Sequence, residues 1–514
     1  MMDNRKLFLG FGAMAALGAV AQERPNIIYI MCDDMGYGDL GCYGQQYIAT
    51  PNIDRLASQG MRFTQAYAGS PVSAPSRACF MTGQHSGHTT VRGNKEYWNS
   101  SNYQNNLFGT CGDYTVVGQH PYDTDHVIIP EIFKQEGYNT GMFGKWAGGY
   151  FNLKDNSQSS KSLPNTRGID CYYGPICQFQ AHTYYPNFLN RYDPTKGDKQ
   201  VVVDELTENT KHATVNTGSS DYENRTQYSA DLIHQYALEW LDRQTTEKPF
   251  LGIFTYTLPH AELWQPRDSI LAAYDGHFCT EKTHSTETGN WYYANDNSHA
   301  QFAAMITRLD HMVGDIMKKL EDKGMAENTV LIFTSDNGPH EEGGADPSFF
   351  NRDGLLKGTK RSTHEGGIRI PFIVRWPAKV AAGTVNDHQF AFYDLMATFS
   401  DIAGVDNYKK YNPKGEDDYF DGISFYPTLV GDDANQQEHE FLYWEFHETN
   451  MLGVRMGNWK LVVNKGTCYL YDLATDIHED TDLSSTYPDI VTKMKNIIKQ
   501  EHTNSSLFSV TIPN

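Results

Sequence analysis

Asp33-Asp34 and Asp336-Asn337 lie far apart in the chain and offer only oxygen donors. That donor set suits a hard cation such as Ca²⁺ or Mg²⁺, whereas zinc favours His and Cys. Read alone, each pair serves equally well as a helix N-cap or a turn, where Asp and Asn are favoured. Ser73-Ala74-Pro75-Ser76-Arg77 reads as a helix entry with a hydroxyl nucleophile. Proline is pre-organised for a first helical turn. A helix N-terminus points N–H groups at an anion, and the planar fork of Arg77 can hold a carboxylate or an oxyanion. An ordinary Pro-containing cap has the same sequence. Lys145 and Lys360 are candidate clamps for the oxygens of an anionic ester, whose transition-state charge fixed cations and a metal stabilise. A lone lysine is more commonly a solvated surface group. His260, just past Leu258-Pro259, could protonate a departing alkoxide, although a lone histidine is more often structural.

These groups need a scaffold that brings them together. Short apolar runs at 26–31, 250–256 and 329–334, with a weaker one ending at 141–143, read as buried parallel strands. A fifth run, 368–376, is interrupted by Pro371. Helical patterns fall at 52–59, 76–83, 228–244 and 299–323, the last two clearly amphipathic. The expected fold is α/β, a large, mostly parallel sheet sandwiched by helices. Four strands run into Asp33-Asp34, Lys145, His260 and Asp336-Asn337. Parallel sheets bind ligands outside the carboxyl ends of their strands, so these groups should share one edge. After an irregular connection at 405–436, short strands at 441–446, 452–456, 459–463 and 469–471 and a helix at 491–501 form a smaller antiparallel sheet plus helix. The expected division is a signal peptide at 1–21, a catalytic α/β domain at 22–425 and an α+β subdomain at 426–514.

The 514 residues are 39% hydrophobic and 13% aromatic, a globular composition. The formal net charge of −21 argues against nucleic acid as a partner, which needs a basic face. Arg5 and Lys6, an apolar run at 7–20 and Ala19-Val20-Ala21 before Gln22 form a cleavable signal. No other stretch suggests stable membrane insertion, so the expected location is periplasmic or otherwise exported. None of the eight cysteines forms a zinc-like pair, and Cys171 and Cys177 are close enough to bridge a loop.

In order along the chain, several motifs resemble those of type I sulfatases of the alkaline-phosphatase superfamily. They are Pro25-Asn26-Ile27-Ile28 leading to Asp33-Asp34-Met35-Gly36, Thr50-Pro51-Asn52-Ile53-Asp54-Arg55-Leu56, the Ser73 pentapeptide with Thr82-Gly83, Gly144-Lys145-Trp146, Pro259-His260, Ser335-Asp336-Asn337-Gly338, and Lys360 followed by Glu365-Gly366-Gly367-Ile368-Arg369-Ile370-Pro371. Val454-Arg455-Met456-Gly457-Asn458-Trp459-Lys460-Leu461 and Leu470-Tyr471-Asp472 extend the likeness. The resemblance implies an alkaline-phosphatase-like fold and sulfate-ester hydrolysis by a hydrated formylglycine made from Ser73. The serine form resembles the bacterial type matured by a radical enzyme, a transient partner. It further implies Ca²⁺ held by Asp33, Asp34, Asp336, Asn337 and the modified Ser73. Arg77 and Lys145 would support the aldehyde hydrate, Lys360 would bind sulfate and His260 would be the general acid.

One position departs from the family pattern. Ala147 follows Gly-Lys-Trp where the family often has a histidine; His85 and His88 are candidates to stand in. The chain resembles a bacterial branch acting on sulfated glycans of animal hosts. Its segment 177–186 looks like that branch's sugar-contacting stretch, so Gln178 and His182 would hold hydroxyls of a galactose-type ring, with Glu341 or Glu342 doing similar work. The expected substrate is a galactose 3-O-sulfate of mucin-type glycans. Alternatives are a 6-O- or 4-O-sulfate of galactose or N-acetylgalactosamine, a phosphate ester, or glycan or anion binding without chemistry.

Overall fold

The computed structural model describes residues 24–98, 116–152, 161–212, 224–285, 292–350 and 356–514. The signal segment lies outside these residues. The elements that position the site are β1 (Asn26–Cys32), α1 (Pro51–Ser58), β2 (Met61–Tyr67), α2 (Ser73–Thr82), β3 (Asn139–Gly144), α3 (Ser229–Asp242), β4 (Phe250–Thr255), α4 (Ser298–Asp322), β5 (Thr329–Ser335) and β6 (Arg369–Arg375). The strands belong to a mixed sheet that has 11 strands among the described residues. β1 lies at its centre, parallel to both β4 and β5, and β3 extends it parallel to β4.

All seven residues of β1 are buried, and so are all six of β4. Alternate side chains of a strand face opposite sides of a sheet, and two cores result. Ile27, Tyr29 and Met31 pack with Ala74, Ala78 and Phe80 of α2; Tyr29 and Phe80 stack at 4.4 Å. Ile28, Ile30 and Cys32 pack into the other core with Trp240 of α3 and Phe302 and Leu309 of α4. With helices on both faces, near-continuous apolar strands are the expected sequence signature.

The fifth run differs from the expectation of parallel strands. β6 is antiparallel to β5 and to β2. Pro371 sits where the register with β2 shifts, between Ile370 and Phe372, which is where a sheet tolerates a residue without an N–H. α2 begins at Ser73, three residues earlier than the pattern suggested, and its cap residue Val72 makes no side-chain cap. The helix ends on Gly83 at φ +67, where an added Cβ would meet Met396 Sδ at 3.0 Å.

The last segments form β7 (Leu442–Phe446), β8 (Met451–Met456), β9 (Trp459–Asn464) and β10 (Thr467–Asp472), an antiparallel sheet in chain order, followed by α5 (Pro488–Glu501). Tyr443, Leu452, Leu461 and Ile498 give this unit its own core. It is tied to the main sheet through buried Glu365, which accepts from Lys460 Nζ at 2.9 Å and Tyr67 Oη at 2.7 Å. Cys171 is an unbridged thiol beside Arg243, and Cys177 is an unbridged thiol too, so their closeness in sequence does not become a bridge. Among the described residues no helix is long and apolar enough to cross a membrane.

Candidate active site

The carboxyl ends of β1, β3, β4 and β5 meet the N-terminus of α2. Ser73 does not cap its helix. Its Oγ donates to Asp33 Oδ1 at 2.6 Å. Lys145, just past β3, donates to Asp33 Oδ2 at 2.6 Å. One turn into α2, Arg77 donates to Asp336 Oδ2 from Nε at 3.0 Å and Nη2 at 2.7 Å, and its Nη2 also lies 3.3 Å from Asp33. Asn337 Nδ2 donates to Asp34 Oδ1 at 2.7 Å. Asp34 holds a left-handed backbone, φ 65, uncommon for a residue with a Cβ and characteristic of functional sites. There its N–H reaches Asp336 Oδ1 at 3.2 Å.

Lys360 Nζ bridges Asp34 Oδ2 at 2.8 Å, Glu342 Oε2 at 2.9 Å and His260 Nε2 at 3.2 Å. The Nδ1 of His260 contacts the carbonyl of Ala261. A carbonyl can only accept, so Nδ1 carries the hydrogen and Nε2 is the acceptor facing Lys360. Burial and then Lys360 lower the pKa of His260, which favours this neutral form.

Three carboxylates without solvent exposure sit side by side in this centre. Burial opposes the charge of Asp33, but the cations Lys145 and Arg77 outweigh it and hold its pKa low. Asp34 is likewise lowered, Lys360 overcoming burial. Asp336 is pushed up to about 7, by burial and then by Asp33. Like-charged carboxylates sharing a buried site resist joint ionisation, and a cation relieves that conflict. Asn337 Oδ1 is buried with no hydrogen-bond partner among the described residues, so the amide that touches Asp34 through Nδ2 keeps an unused acceptor. A hard divalent cation fits these donors. Donor atoms of Asp33, Asp34 and His260 also lie within 4.8 Å of one another, as do those of Asp34, His340 and Glu342. The all-oxygen set is the better fit: His260 Nε2 faces Lys360, and the ring nitrogens of His340 meet the Glu342 N–H and the Pro259 carbonyl, each at 3.2 Å.

A pocket of about 600 Å³ opens over Ser73. Gln178, His182, His260, Glu341, Glu342 and Lys360 all line it. Gln178 Nε2 donates to Glu96 Oε1 at 2.5 Å. His182 stacks on His260 at 5.2 Å between ring centres; burial, then His260, lowers its pKa well below the usual histidine range. Glu342 takes Arg361 Nη1 at 2.6 Å and Tyr292 Oη at 2.9 Å besides Lys360. Lys360 and Arg361 outweigh burial and hold its carboxyl well below the usual range.

The structure does not bring His85 and His88 to this pocket. They follow the far end of α2, whose ten residues separate them from Ser73 by about 15 Å of helix rise. Their rings stack at 4.1 Å. His85 lies 3.1 Å from Glu501 and His88 2.9 Å from Asp421. Neither stands in for the histidine missing at Ala147, which is buried with φ 53. Sequence reasoning also missed Arg361, Tyr292, Lys282 and His284, all of which line the pocket. Arg361 had a signal, its adjacency to Lys360. The others come from a segment with no strand or helix pattern.

Comparison with known proteins identifies the family. The Sulfatase family profile matches residues 25–405, and a profile described as N-sulphoglucosamine sulphohydrolase, C-terminal, matches residues 358–504. The chain is 28% identical over 518 positions to the N-acetylgalactosamine-6-O-sulfatase of Bacteroides thetaiotaomicron, which covers 94% of each chain. It is 29% identical to the human N-acetylgalactosamine-6-sulfatase, over 81% of this chain and 67% of that one. Among solved structures it is similar to Ps i-CgsB bound to k-i-k-neocarrahexaose, with a TM-score of 0.70, 27% identity and 94% coverage of each chain. With a family match spanning everything from β1 to past β6, the chain belongs to the sulfatase family and is a sulfuric ester hydrolase.

Proposed function

We propose that this sulfatase removes the sulfate of a galactose 3-O-sulfate on mucin-type or related glycans. The observation that carries a sugar-directed reading is the shared pocket: Ser73, His260 and Lys360 line the same cavity as Gln178 and His182. Maturation of Ser73 to formylglycine and addition of water to its aldehyde would supply a geminal diol, one hydroxyl to attack sulfur and the other to expel sulfate. Ca²⁺ held by Asp33, Asp34, Asp336, Asn337 and the modified Ser73 would supply Lewis-acid binding of the sulfate oxygens.

The chain's own residues divide the remaining work. Lys145 and Arg77 hold Asp33 ionised, Arg77 pairs with Asp336, and both cations lend positive charge beside the Ser73 side chain. Lys360, 2.8 Å from Asp34, is placed to bind a sulfate oxygen. His260 Nε2, once protonated, donates to the departing sugar oxygen; its Nδ1–H is anchored by Ala261 so that Nε2 keeps its aim. His182 and Gln178 hydrogen-bond the ring hydroxyls, His182 reading an axial one, and Glu341 or Glu342 accept from others. Ala147 offers no base for the second step; the proton of the remaining hydroxyl passes to solvent water as sulfate departs, with Lys145 and Arg77 stabilising the oxyanion.

A second position has a specific support, the 6-O-sulfatase activity named for the Bacteroides relative. Position-defined 3-O-, 4-O- and 6-O-sulfates of galactose, N-acetylgalactosamine and N-acetylglucosamine, with a phosphate ester as control, separate the readings. The enzyme for this assay is produced with a radical-type maturation enzyme. Turnover is expected on galactose 3-O-sulfate and should fall at least about 100-fold in His182→Ala. Turnover confined to the 6-O-sulfates selects the second position, and unchanged turnover in His182→Ala removes the sugar-reading role. Export is part of the same proposal: protein recovered from its native cell should begin at Gln22.

A further inference from the structure

Much of the inner wall of the pocket is satisfied by its own partners. Lys360 meets Asp34 and Glu342, Arg361 and Tyr292 meet Glu342, and Gln178 meets Glu96. The mouth is different. His284 is 9% exposed and lines the pocket, yet its Nε2 is buried with no hydrogen-bond partner among the described residues. The backbone of Tyr292 bonds the ring, and burial lowers its pKa. A neutral ring held in this way presents Nε2 as a lone-pair acceptor. Lys282 lies two residues earlier on the same rim. Its Nζ donates to the Ala345 carbonyl at 3.1 Å, and among the described residues it has no carboxylate at ion-pair distance, which leaves donors unused. Glu341, also on the rim, is exposed.

The rim is built rather than loose. His284 and Asn295 exchange backbone hydrogen bonds at 2.8 and 3.1 Å, Ser298 N donates to Lys282 O at 3.0 Å, and Asn295 Nδ2 donates to the carbonyls of Leu263 and Gly343, each at 3.3 Å. A buried acceptor left unpaired costs stability, and such groups persist where a ligand pairs them. One ammonium beside a neutral imidazole and a carboxylate is a poor anion site. It is a good set of donors and acceptors for the hydroxyls of a neutral sugar.

We infer that Lys282 and His284 form a subsite for a neutral second sugar, joined to the sulfated residue through its glycosidic bond, so that the enzyme prefers sulfated oligosaccharides to sulfated monosaccharides. This rests on the sugar-directed reading above. Two added hydrogen bonds correspond to about a tenfold gain in kcat/KM.

The test compares sulfated galactose, the same sulfated galactose in lactose, and a version whose second sugar is glucuronic acid. Wild-type enzyme should favour the lactose form about tenfold over the monosaccharide, with no further gain for the glucuronate. Lys282→Met and His284→Ala should shrink that preference to within about twofold while monosaccharide turnover is kept. Lys282 is exposed, so its variant keeps the test alive if His284→Ala fails to fold. Equal rates on the monosaccharide and the lactose form, a preference untouched by both variants, or selection of the glucuronate would each overturn the subsite. Saturation-transfer NMR with unsulfated lactose provides an arm that needs no turnover. Saturation should reach the glucose ring in wild type and fade in Lys282→Met. Glucose-ring saturation absent from wild type refutes the subsite, whereas its presence in an enzyme inactive on every sulfate ester indicts the activity assignment instead.

Discussion

Glu262 lies two residues past His260 and has no solvent exposure. Its Oε1 accepts from Thr183 Oγ1 at 3.1 Å and Tyr184 N at 3.0 Å, and its Oε2 accepts from Tyr293 N at 3.3 Å. It therefore ties together the neighbours of His182, His260 and Tyr292, three rings that line the pocket. Burial pushes its carboxyl up from 4.5 to about 8, against the lowering by those hydrogen bonds. The native state keeps this proton until about pH 8, while the unfolded chain gives it up near its ordinary value. As pH rises, the unfolded state loses the proton first. The stability this group contributes is fully present below pH ~4.5 and is lost as pH climbs through about 8. From pH ~5 to pH ~8 the loss is about 3.5 kcal/mol. Glu262→Gln cannot ionise. It adds a fixed penalty of about 1–3 kcal/mol, because its amide NH₂ must face the Tyr293 N–H, but that penalty does not depend on pH. Equilibrium urea denaturation of both proteins across this range should show the wild-type advantage shrinking, and then reversing, by about 3.5 kcal/mol in total. A stability gap that stays constant to within about 1 kcal/mol would show that Glu262 is ionised at neutral pH and refute the reasoning.

Other consequences follow from the same contacts. Exhaustive chelation should lower sulfate release at least about 100-fold, with recovery on adding Ca²⁺. Added Ca²⁺ should also raise the melting temperature of the chelated protein, because a cation relieves the crowding of Asp33, Asp34 and Asp336; a melting point indifferent to Ca²⁺ would count against that ligand set. Lys360→Met removes the charge that bridges Asp34, Glu342 and His260; steady-state kinetics should show kcat/KM down by about 100–1000-fold. Circular dichroism should show a fold retained, since Arg361 still pairs Glu342.

Much of the centre was legible because it sits at strand ends. Apolar runs mark β1, β4 and β5 on their own, and the polar residues that follow them had to share an edge once the strands were parallel. What sequence patterns missed has physical causes. The antiparallel direction of β6 leaves no trace in a buried run, since composition reports burial and not direction. The outer antiparallel strands Phe188–Tyr192 and Val202–Glu205 carry mixed polar residues at the sheet edge and lack a clean period. Placing His85 and His88 beside Ser73 overlooked the intervening length of α2. Lys282, His284 and Glu262 act from segments shaped by long-range hydrogen bonds rather than by local propensity, so no periodicity announces them. The conflict of three buried carboxylates was visible only when the fold brought Asp336 to Asp33.

The claim on which the mechanism turns is that Ser73, as encoded, is inert. Peptide mass spectrometry of enzyme with measured sulfatase activity tests it directly. The Ser73 peptide should be lighter by two hydrogens, and the modified fraction should rise in proportion to specific activity across preparations with and without the maturation enzyme. Full activity in a preparation whose Ser73 is wholly unmodified would contradict the account.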